Sequence, residues 1–599
     1  MPLKNAESAG WGRSLAFVLL LFAAVCAAYA NAWPNDLIFD DKPFLDYKRF
    51  DDWSAVPEYF SENAWAARGL SSNLYRPLLW TSITLDASLF EDWFAGYHLI
   101  NILLHACVTL CVFGLLARVL SMDDHTAKFS IPAAFFAALL FAVHPVHTEV
   151  VNSIFNRSSI LSALGMTIGL WWLLRNLETR PVRGWTGLLI AYTAALFCRE
   201  TAAVLPGIAA VLVLLYAHGD GQARLRKTLP VLLLLVPLAA YLVAREHALA
   251  VSALATDSPE DDWTSALRQV DSSRLLQGEV LLRAAGVWGD ALRLAVWPVG
   301  LQVSYEAPGR AASWIALAVH VILLGAAVFR YRRGRKGPLA GLLIFYVALL
   351  PSSRLIGDDA VLPHLNARYL YEPMIGLALL AAYGLVYLRT RFDRTLAAVP
   401  VVLAVMLMTP STWARNVQWT DEKMLFESDY RKGVRTTNLL RLLTAVYLRE
   451  ADFPRVAEIC DAHPEITATS GNLSSHCATA YSYLGRSEDA VTAYRISAES
   501  PRERRRAYWN LGKHYLRQQD WEMARSNLER AVEAEQNPAR KAYYAAYMIM
   551  LLYPATPEKW LEARAQLEQA VRLQPGYGEA QALLDQINQA VGGLPSGEP

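Results

Sequence analysis

Long apolar stretches recur through the first two thirds of the chain. A helix needs about 20 apolar residues to cross the roughly 30 Å hydrocarbon layer of a membrane, and about eleven runs approach this length. They predict an all-α transmembrane domain over residues 14–411, with a cytoplasmic N-terminus at 1–13 and large outer loops at about 32–96 and 246–310. The predicted spans are 14–31, 97–117, 130–146, 154–174, 184–198, 201–217, 228–245, 311–329, 338–352, 372–388 and 395–411.

Positive charges between these runs predict the orientation of the helices. Lys and Arg concentrate in the short cytoplasmic loops of membrane proteins. If the N-terminus is cytoplasmic, basic loops alternate with loops that carry few positive charges, and the segment RYRRGRK at 330–336 is among the most basic. An odd number of spans places everything after Pro410 in the periplasm of a bacterium or the lumen of the endoplasmic reticulum. The alternative is a signal peptide cleaved after AYANA at 28–32, although the many later spans favour an uncleaved helix.

One further apolar stretch, residues 274–300, is predicted not to cross. Glu279, Arg283, Asp290 and Arg293 fall on one face of a helix at 100° per residue. If this helix crossed, RYRRGRK would lie outside, against the positive-inside rule. We therefore expect it to lie at the interface or to re-enter, with its charged stripe towards a polar cavity.

A different pattern begins after the last apolar run. Tyr447, Tyr481 and Tyr515 are each separated by the 34-residue period of the tetratricopeptide repeat, and the clearest copy covers about 505–538. We predict about four repeats at 433–590, after a linker at 412–432 and before a disordered tail at 591–599. Such repeats form an α-solenoid with a concave binding surface. Its partner is expected to be an acceptor protein or another protein, and docking or dimerisation is an equal alternative.

Composition supports a membrane protein with a soluble extension. Hydrophobic residues make up 54% of the chain and charged residues 19%, whereas soluble domains carry about a quarter charged residues. The net charge of +1 gives no indication of a nucleic-acid partner. Cys460 and Cys477 lack metal-type spacing, and they are able to form a disulfide between neighbouring helices if this part lies in an oxidising compartment.

Paired carboxylates follow the first apolar run. Asp40 and Asp41 are suited to deprotonating a hydroxyl or to holding a divalent metal. Asp51 and Asp52, ten residues on, have the same pattern, and residue types alone do not distinguish the two pairs.

Polar residues next to the predicted spans are functional candidates because ionisable groups are costly at membrane depth. His98, Asn101 and His105 share a helix face, which suits either interhelical hydrogen bonds or substrate contact. His144, His147 and Glu149 have the types of zinc ligands, but Pro145 disfavours a regular helix that carries both histidines.

Two arginines near the carboxylates suit an anionic substrate. Arg157 follows Asn156 at the start of a predicted span, and Arg368 follows His364 and Asn366 before another. A guanidinium stays charged and binds phosphate bidentately. These residues therefore favour a reaction with a phosphate leaving group.

These clusters, in this order, resemble the transmembrane and tetratricopeptide-repeat O-mannosyltransferase family, which belongs to the GT-C glycosyltransferases. The resemblance covers roughly residues 30–590. Where that family usually has Ala-Glu-Arg and Lys-Glu, this chain has Asn366-Ala367-Arg368 and Arg199-Glu200. The matching segments are FDD (39–41), YRPL (75–78), YHLINILLH (97–105), FAVHPVHTE (141–149), NRSSILSAL (156–164), CRETAAVLP (198–206) and ARYLYEP (367–373).

The resemblance implies an inverting GT-C glycosyltransferase that moves one hexose, such as mannose, from a polyprenyl-phosphate lipid to a Ser or Thr hydroxyl of an extracytoplasmic protein. It favours Asp40 and Asp41 over Asp51 and Asp52 as the catalytic pair. We predict Arg157 and Arg368 as ligands of the donor phosphate. No cofactor is implied with certainty, and a divalent metal stays open. The predicted substrate pocket contains Arg76, His98, His147, Glu149 and Glu200.

Two other functions fit the sequence. A GT-C transferase that modifies a lipid or polysaccharide would share the membrane domain, but it needs no peptide-binding solenoid. A non-enzymatic, membrane-anchored repeat scaffold would leave the charged outer-loop residues dispensable.

Overall fold

The computed structural model describes residues 2–39, 41–42, 50, 52–63, 74–255, 278–353, 355, 365–554 and 556–591. In this part of the chain the regular secondary structure is helical. An isolated antiparallel bridge joins Tyr305 to Leu365. The predicted all-α fold is therefore confirmed for the described residues. The chain divides into two compact units, residues 1–432 and 433–599.

The first unit is a bundle of apolar helices joined by short 3₁₀ turns. Its described α-helices, numbered here in chain order, are α1 (Pro2–Ala28), α2 (Pro77–Phe90), α3 (Phe94–Ser121), α4 (Ser130–Val143), α5 (Thr148–Asn152), α6 (Arg157–Asn176), α7 (Pro181–Cys198), α8 (Leu205–Tyr216), α9 (Gly221–Thr228), α10 (Leu235–Ala255), α11 (Gly278–Val296), α12 (Arg310–Arg332), α13 (Gly337–Leu349), α14 (Pro373–Arg391), α15 (Arg394–Gln418) and α16 (Glu422–Arg431).

Several of these helices have the length and composition to cross a membrane. Among the described residues they are α3, α12, α14, the segment Gly221–Ala250 that contains α9, and Thr395–Gln418 of α15. The segments Ala127–Val143 and Pro145–Asn152 qualify together as a pair bent by 49°, and shorter apolar helices lie at Leu15–Ala28, Glu200–Tyr216 and Gly337–Ser352. The prediction of a multi-pass membrane protein is confirmed. The helices α6 and α7 do not qualify, so the number of eleven spans stays a prediction.

Small residues allow neighbouring helices to approach closely. A Cβ added at Gly376 of α14 would lie 2.5 Å from the carbonyl oxygen of Gly341 in α13. A Cβ at Gly169 of α6 would lie 3.0 Å from that of Ala191 in α7. Because lipid gives no hydrophobic drive for helix association, such close packing stabilises membrane bundles.

The helix α11 coincides with the stretch that was predicted not to cross. Ala284, Ala291 and Leu294 are buried, and Asp290 lies 3.5 Å from Arg293 on the polar side. Among the described helices, α11 is not one that is long and apolar enough to span a membrane. Its place at the membrane interface stays a prediction.

The second unit consists of consecutive helices, most of which pack in pairs. Gly512 in one helix faces the next, because a Cβ there would lie 2.6 Å from Cγ of Leu528 and 3.2 Å from the carbonyl oxygen of Ala524. This close approach is consistent with the tetratricopeptide pattern, which has small residues at these positions. The helices are α17 (Thr437–Arg449), α18 (Phe453–Ala462), α19 (Pro464–Ala468), α20 (Gly471–Tyr483), α21 (Ser487–Glu499), α22 (Arg504–Arg517), α23 (Trp521–Ala534), α24 (Pro538–Leu552), α25 (Pro557–Leu573) and α26 (Gly578–Val591).

A disulfide joins two helices of this unit. Cys460 in α18 and Cys477 in α20 are bonded, with their Cα atoms 5.9 Å apart and a sequence separation of 17. Both residues are buried. The bond that the sequence left open is therefore present in the structure.

Removing this disulfide should destabilise the second unit. Closing a loop of this length is worth about 3 kcal/mol in the chain-entropy description. We expect the double substitution Cys460→Ser and Cys477→Ser to lower the thermal unfolding midpoint of the purified protein, while Cys107→Ser, at an exposed position in α3, leaves it unchanged. An equal midpoint for both variants, with Cys460 alkylated in the unreduced wild type, would contradict the assignment.

Candidate functional site

Several predicted site residues meet at one end of the first unit's helices. Arg76 precedes α2 and binds Glu200, which follows α7. Glu149 in α5 binds Arg368, which precedes α14. Asp41 follows α1 and binds the turn before α6. The ends of α1, α5 and α7 therefore lie beside the starts of α2, α6 and α14.

The carboxylate of Asp41 is buried and holds the turn between α5 and α6. Its Oδ1 accepts hydrogen bonds from the amide of Phe155 at 2.8 Å and the hydroxyl of Ser153 at 3.1 Å. Its Oδ2 accepts from the amide of Ile154 at 3.1 Å. Because these donors favour the ionised carboxylate, Asp41 is an anchor for residues 153–155 and thereby for the start of α6.

A sharp turn brings Asp41 to this position. Phe39 has a φ of 53°, which is rare for an aromatic residue. Its amide donates to Oε1 of Glu422 at 2.9 Å, and its ring contacts that of Phe426, with the centroids 4.9 Å apart. Backbone strain of this kind persists where surrounding contacts fix it, and it is frequent at functional sites.

Of the other three carboxylates in the two predicted pairs, the structure describes Asp52. Asp40 and Asp51 lie outside the described residues. Asp52 is exposed and caps the short helix Trp53–Phe60, where its Oδ1 accepts from the amide of Ser54 at 2.8 Å. The hydrogen bonds from Ser54 lower the pKa of Asp52. This residue has the role of a helix cap.

Arg157 is fully buried in a network of protein acceptors. Its Nη2 lies 2.5 Å from Oδ2 of Asp86, and its Nε donates to Oδ1 of Asn101 at 2.6 Å. The carbonyl oxygens of Tyr97 and Ser82 accept at 3.0 and 3.4 Å. This burial does not fit the predicted role as a ligand of the donor phosphate, because the guanidinium is already engaged by α2 and α3.

Arg368 is the more accessible of the two predicted phosphate ligands. Its side chain is 30% exposed, and its Nη1 donates to Oε1 of Glu149 at 3.0 Å. With the amide of Asn366 oriented as its neighbours require, its oxygen accepts from Nη2 of Arg368 at 2.8 Å. The guanidinium is thus fixed in direction and still reaches the surface of the site.

Arg76 and Glu200 form a close ion pair at the same end. The guanidinium binds both carboxylate oxygens, at 2.6 and 3.0 Å. Arg76 also donates to the hydroxyl of Ser158 at 3.4 Å. Bidentate pairs of this type are geometrically specific, so Arg76 connects the start of α2 to the segment after α7.

Arg199 is a site residue that the sequence reasoning missed. Its side chain is 3% exposed, and its Nη1 donates to the hydroxyls of Ser159 at 2.7 Å and Ser158 at 3.1 Å. Among the described residues, its Nε has no hydrogen-bond partner and no carboxylate lies within ion-pairing distance. The departure from the family's Lys-Glu pattern at Arg199-Glu200 was the signal that could have identified it.

Arg76, Arg199 and Arg368 lie close enough to act on one another electrostatically. Burial and the charge of Arg76 lower the pKa of Arg199, and the charges of Glu200 and Glu372 offset part of this effect. Burial alone would raise the pKa of Tyr369, but the charges of Arg368 and Arg199 lower it overall. This part of the site is therefore suited to an anion.

The predicted histidines are buried, and each makes different contacts. Nε2 of His144 contacts the carbonyl oxygen of Ala295 at 3.0 Å, and Nδ1 of His105 lies 2.7 Å from the hydroxyl of Tyr371. His147 is enclosed by aromatic rings, and within the described residues its nitrogens have no hydrogen-bond partner. His98 is buried at the start of α3. No cluster of three or more His, Cys, Asp or Glu suited to a metal occurs in the described segments.

The position of Arg157 leads to a prediction about stability. Asp86→Asn would leave a buried guanidinium without its ion pair, and breaking such a pair costs about 3–5 kcal/mol. We expect this variant to lower the thermal midpoint of the detergent-solubilised protein strongly, whereas Asp92→Asn, at an exposed position, should not. An unchanged midpoint for Asp86→Asn would show that Arg157 has another anionic partner.

Comparisons with known proteins agree with the motifs. Residues 77–244 match the family model for dolichyl-phosphate-mannose-protein mannosyltransferases. The chain is 23% identical over 515 residues to protein O-mannosyl-transferase TMTC3 of Homo sapiens, covering 80% of this chain and 54% of that protein. It is 24% identical over 436 residues to protein O-mannosyl-transferase F38B6.6 of Caenorhabditis elegans, covering 71% and 59%.

The chain spans about half the length of the curated relatives it matches. A solved structure, arabinosyltransferase EmbB from Mycobacterium smegmatis, aligns with 67% of this chain and 41% of its own at 14% identity. Its TM-score of 0.27 is too low to support an argument about the fold. The sequence matches confirm the resemblance that the motifs indicated: the chain is similar to the protein O-mannosyltransferases.

Proposed function

We propose that the protein is an inverting GT-C glycosyltransferase that moves one hexose from a polyprenyl phosphate to a Ser or Thr hydroxyl of a protein outside the cytoplasm. The observation that carries this proposal is the buried guanidinium of Arg199. Buried charges are normally paired because their desolvation is costly. Glu200 and Glu372 act on Arg199 from a distance, but neither forms an ion pair with it, and a bound phosphate would supply such a partner.

The phosphate of the donor would contact Arg199 and Arg368. Ser158 and Ser159 orient Arg199, and Glu149 orients Arg368. Two fixed guanidinium groups are able to stabilise the charge that develops on the leaving phosphate, which is an electrostatic contribution to catalysis. Arg157, which we first expected to bind the phosphate, would instead position α6 through Asp86.

Asp40 is the proposed base, and Asp41 is the proposed positioning residue. The carboxylate of Asp41 accepts hydrogen bonds from Ser153, Ile154 and Phe155, so it is held by the protein. Its neighbour Asp40 would take the proton of the acceptor hydroxyl while that oxygen bonds to the anomeric carbon. The bond between the sugar and the phosphate breaks at the same time, and the electron pair leaves with the phosphate.

The proposed orientation puts this end of the bundle outside the cytoplasm. The loops next to Arg330 and Arg391, at the opposite ends of α12 and α14, are rich in Lys and Arg, as cytoplasmic loops are. The disulfide in the second unit supports an oxidising compartment for that unit. The second unit would then share a compartment with translocated acceptor proteins.

Loss of the base should abolish transfer. We expect Asp40→Asn to reduce sugar transfer from labelled polyprenyl-phosphate mannose to protein by about 10²- to 10⁴-fold, at unchanged membrane expression. Asp52→Asn is the matched control, because Asp52 caps a short helix and should retain transfer. Near-wild-type transfer by Asp40→Asn would contradict the proposal, and label in glycolipid alone would favour the lipid-modifying alternative.

Loss of the buried charge should weaken phosphate binding selectively. Arg199→Gln removes hydrogen bonds to a charged group, each worth about 1.5–3 kcal/mol, so polyprenyl phosphate should bind about 10- to 100-fold more weakly. Arg199→Lys keeps the charge and should bind better than Arg199→Gln. Binding of the uncharged polyprenol should not change.

Arg183→Gln serves as the control for a general effect of charge, because Arg183 lies at the opposite end of α7 from Arg199. It should leave polyprenyl-phosphate binding unaltered. Equal losses for Arg183→Gln and Arg199→Gln would remove the support for a phosphate site.

A further inference from the structure

The second unit has an uneven distribution of charge between its helices. We call α17, α20, α22 and α24 together the first-helix layer. These helices contain nine Lys and Arg residues and no Asp or Glu, as their sequences TNLLRLLTAVYLR, GNLSSHCATAYSY, RRRAYWNLGKHYLR and PARKAYYAAYMIMLL show. The intervening helices α18, α21, α23 and α25 contain eleven acidic and seven basic residues. Among these eight helices, the net positive charge is therefore confined to the first-helix layer.

The four helices form one continuous layer. The hydroxyl of Thr444 in α17 lies 2.9 Å from Nδ1 of His476 in α20. Arg517 of α22 donates to the hydroxyl of Ser482 in α20. The ring of Trp509 in α22 lies 5.0 Å from that of Tyr544 in α24. Successive members touch side by side, so their charges act on a common surface.

Three of the five basic residues of α22 fall on one helix face. Arg506, Asn510, Lys513 and Arg517 are spaced by four, three and four residues, which places them within a narrow stripe. Lys513 and Arg517 are exposed, and in the described part of the chain neither has a carboxylate within ion-pairing distance. Arg506 pairs with Glu503 at 3.4 Å, so Lys513 and Arg517 are the residues of the stripe whose positive charge has no carboxylate partner among the described residues.

The positive electrostatic potential of the first-helix layer extends to α17. Burial and the charges of Arg441 and Arg506 lower the pKa of His476 to about 4. Arg441 in α17 and Arg506 in α22 therefore act on the same point in α20. Like charges held this close repel one another, and a bound polyanion would relieve that repulsion.

We propose that the first-helix layer binds an acidic polypeptide segment. Complementary charge would attract and orient such a segment, and repeat arrays of this type present extended surfaces for chains of protein. Asn438 and Asn510 offer amides for a peptide backbone, and Tyr543 and Tyr547 offer rings for its apolar side chains. A membrane of anionic lipids would interact only with the basic side chains. The combination of basic, amide and aromatic side chains therefore favours a polypeptide.

The test measures peptide binding by the full-length protein in phosphatidylcholine nanodiscs. The probe is a fluorescein-labelled peptide of alternating Glu and Ser, and the neutral control peptide has Gln in place of Glu. We expect the acidic peptide to bind at least about tenfold more tightly than the neutral one, with the difference lost at high salt. Equal binding of the two peptides would overturn the proposal.

Charge-removing variants localise the interaction. Lys513→Gln combined with Arg517→Gln should weaken binding of the acidic peptide by about tenfold, since each exposed charge contributes a modest part of the attraction. The control combines Arg525→Gln with Arg530→Gln, both in α23, and should retain binding. An equal loss in the control would overturn the proposal.

A membrane partner gives a different result. Phosphatidylglycerol nanodiscs that protect the first-helix layer from hydrogen exchange, without any preference for the acidic peptide in phosphatidylcholine, would assign the layer to lipid and overturn the proposal. Sugar transfer does not enter these measurements, so they are independent of the proposed enzymatic activity.

Discussion

The hydrogen bonds between Asp41 and the turn at 153–155 determine how the site is assembled. They attach the segment after α1 to the start of α6. The strained turn at Phe39 and the carboxylate of Glu422 hold the same segment from its other side. A carboxylate that accepts several hydrogen bonds from the protein is fixed in position, so this attachment also fixes the turn at 153–155 and the start of α6.

A second constraint is the need to balance the positive charge of a buried arginine with a carboxylate. Arg157 pairs with Asp86, Arg76 with Glu200, and Arg415 with Asp429. The pairs of Arg157 and Arg76 join segments that are distant in sequence and hold the helix ends together at the site. Arg199 differs, because its hydrogen bonds go to the hydroxyls of Ser158 and Ser159, while Glu200 and Glu372 act on it only from a distance. Unpaired buried charge is expensive in a structural element and useful in a site for anions.

Apolar runs predicted helices at the positions of α1, α3, α4 and most later helices of the first unit, whereas α2 lies in a stretch that was expected to be an outer loop. The spacing of Tyr447, Tyr481 and Tyr515 indicated paired helices in the second unit. The state of single side chains was not predictable in this way. Arg157 was expected to be accessible at the start of a membrane helix. Its partner Asp86 was not recognisable from the sequence, because only folding brings α2 against α6. Arg199 was noted only as a departure from a family pattern, since sequence does not show which cation lacks a carboxylate.

A cryo-EM structure of the protein with bound polyprenyl phosphate would test this account most directly. The account predicts that the phosphate lies within hydrogen-bonding distance of Arg199 and Arg368, while Asp41 remains bound to residues 153–155. A phosphate bound at the opposite end of α7, or bound at this end without contact to Arg199, would contradict it.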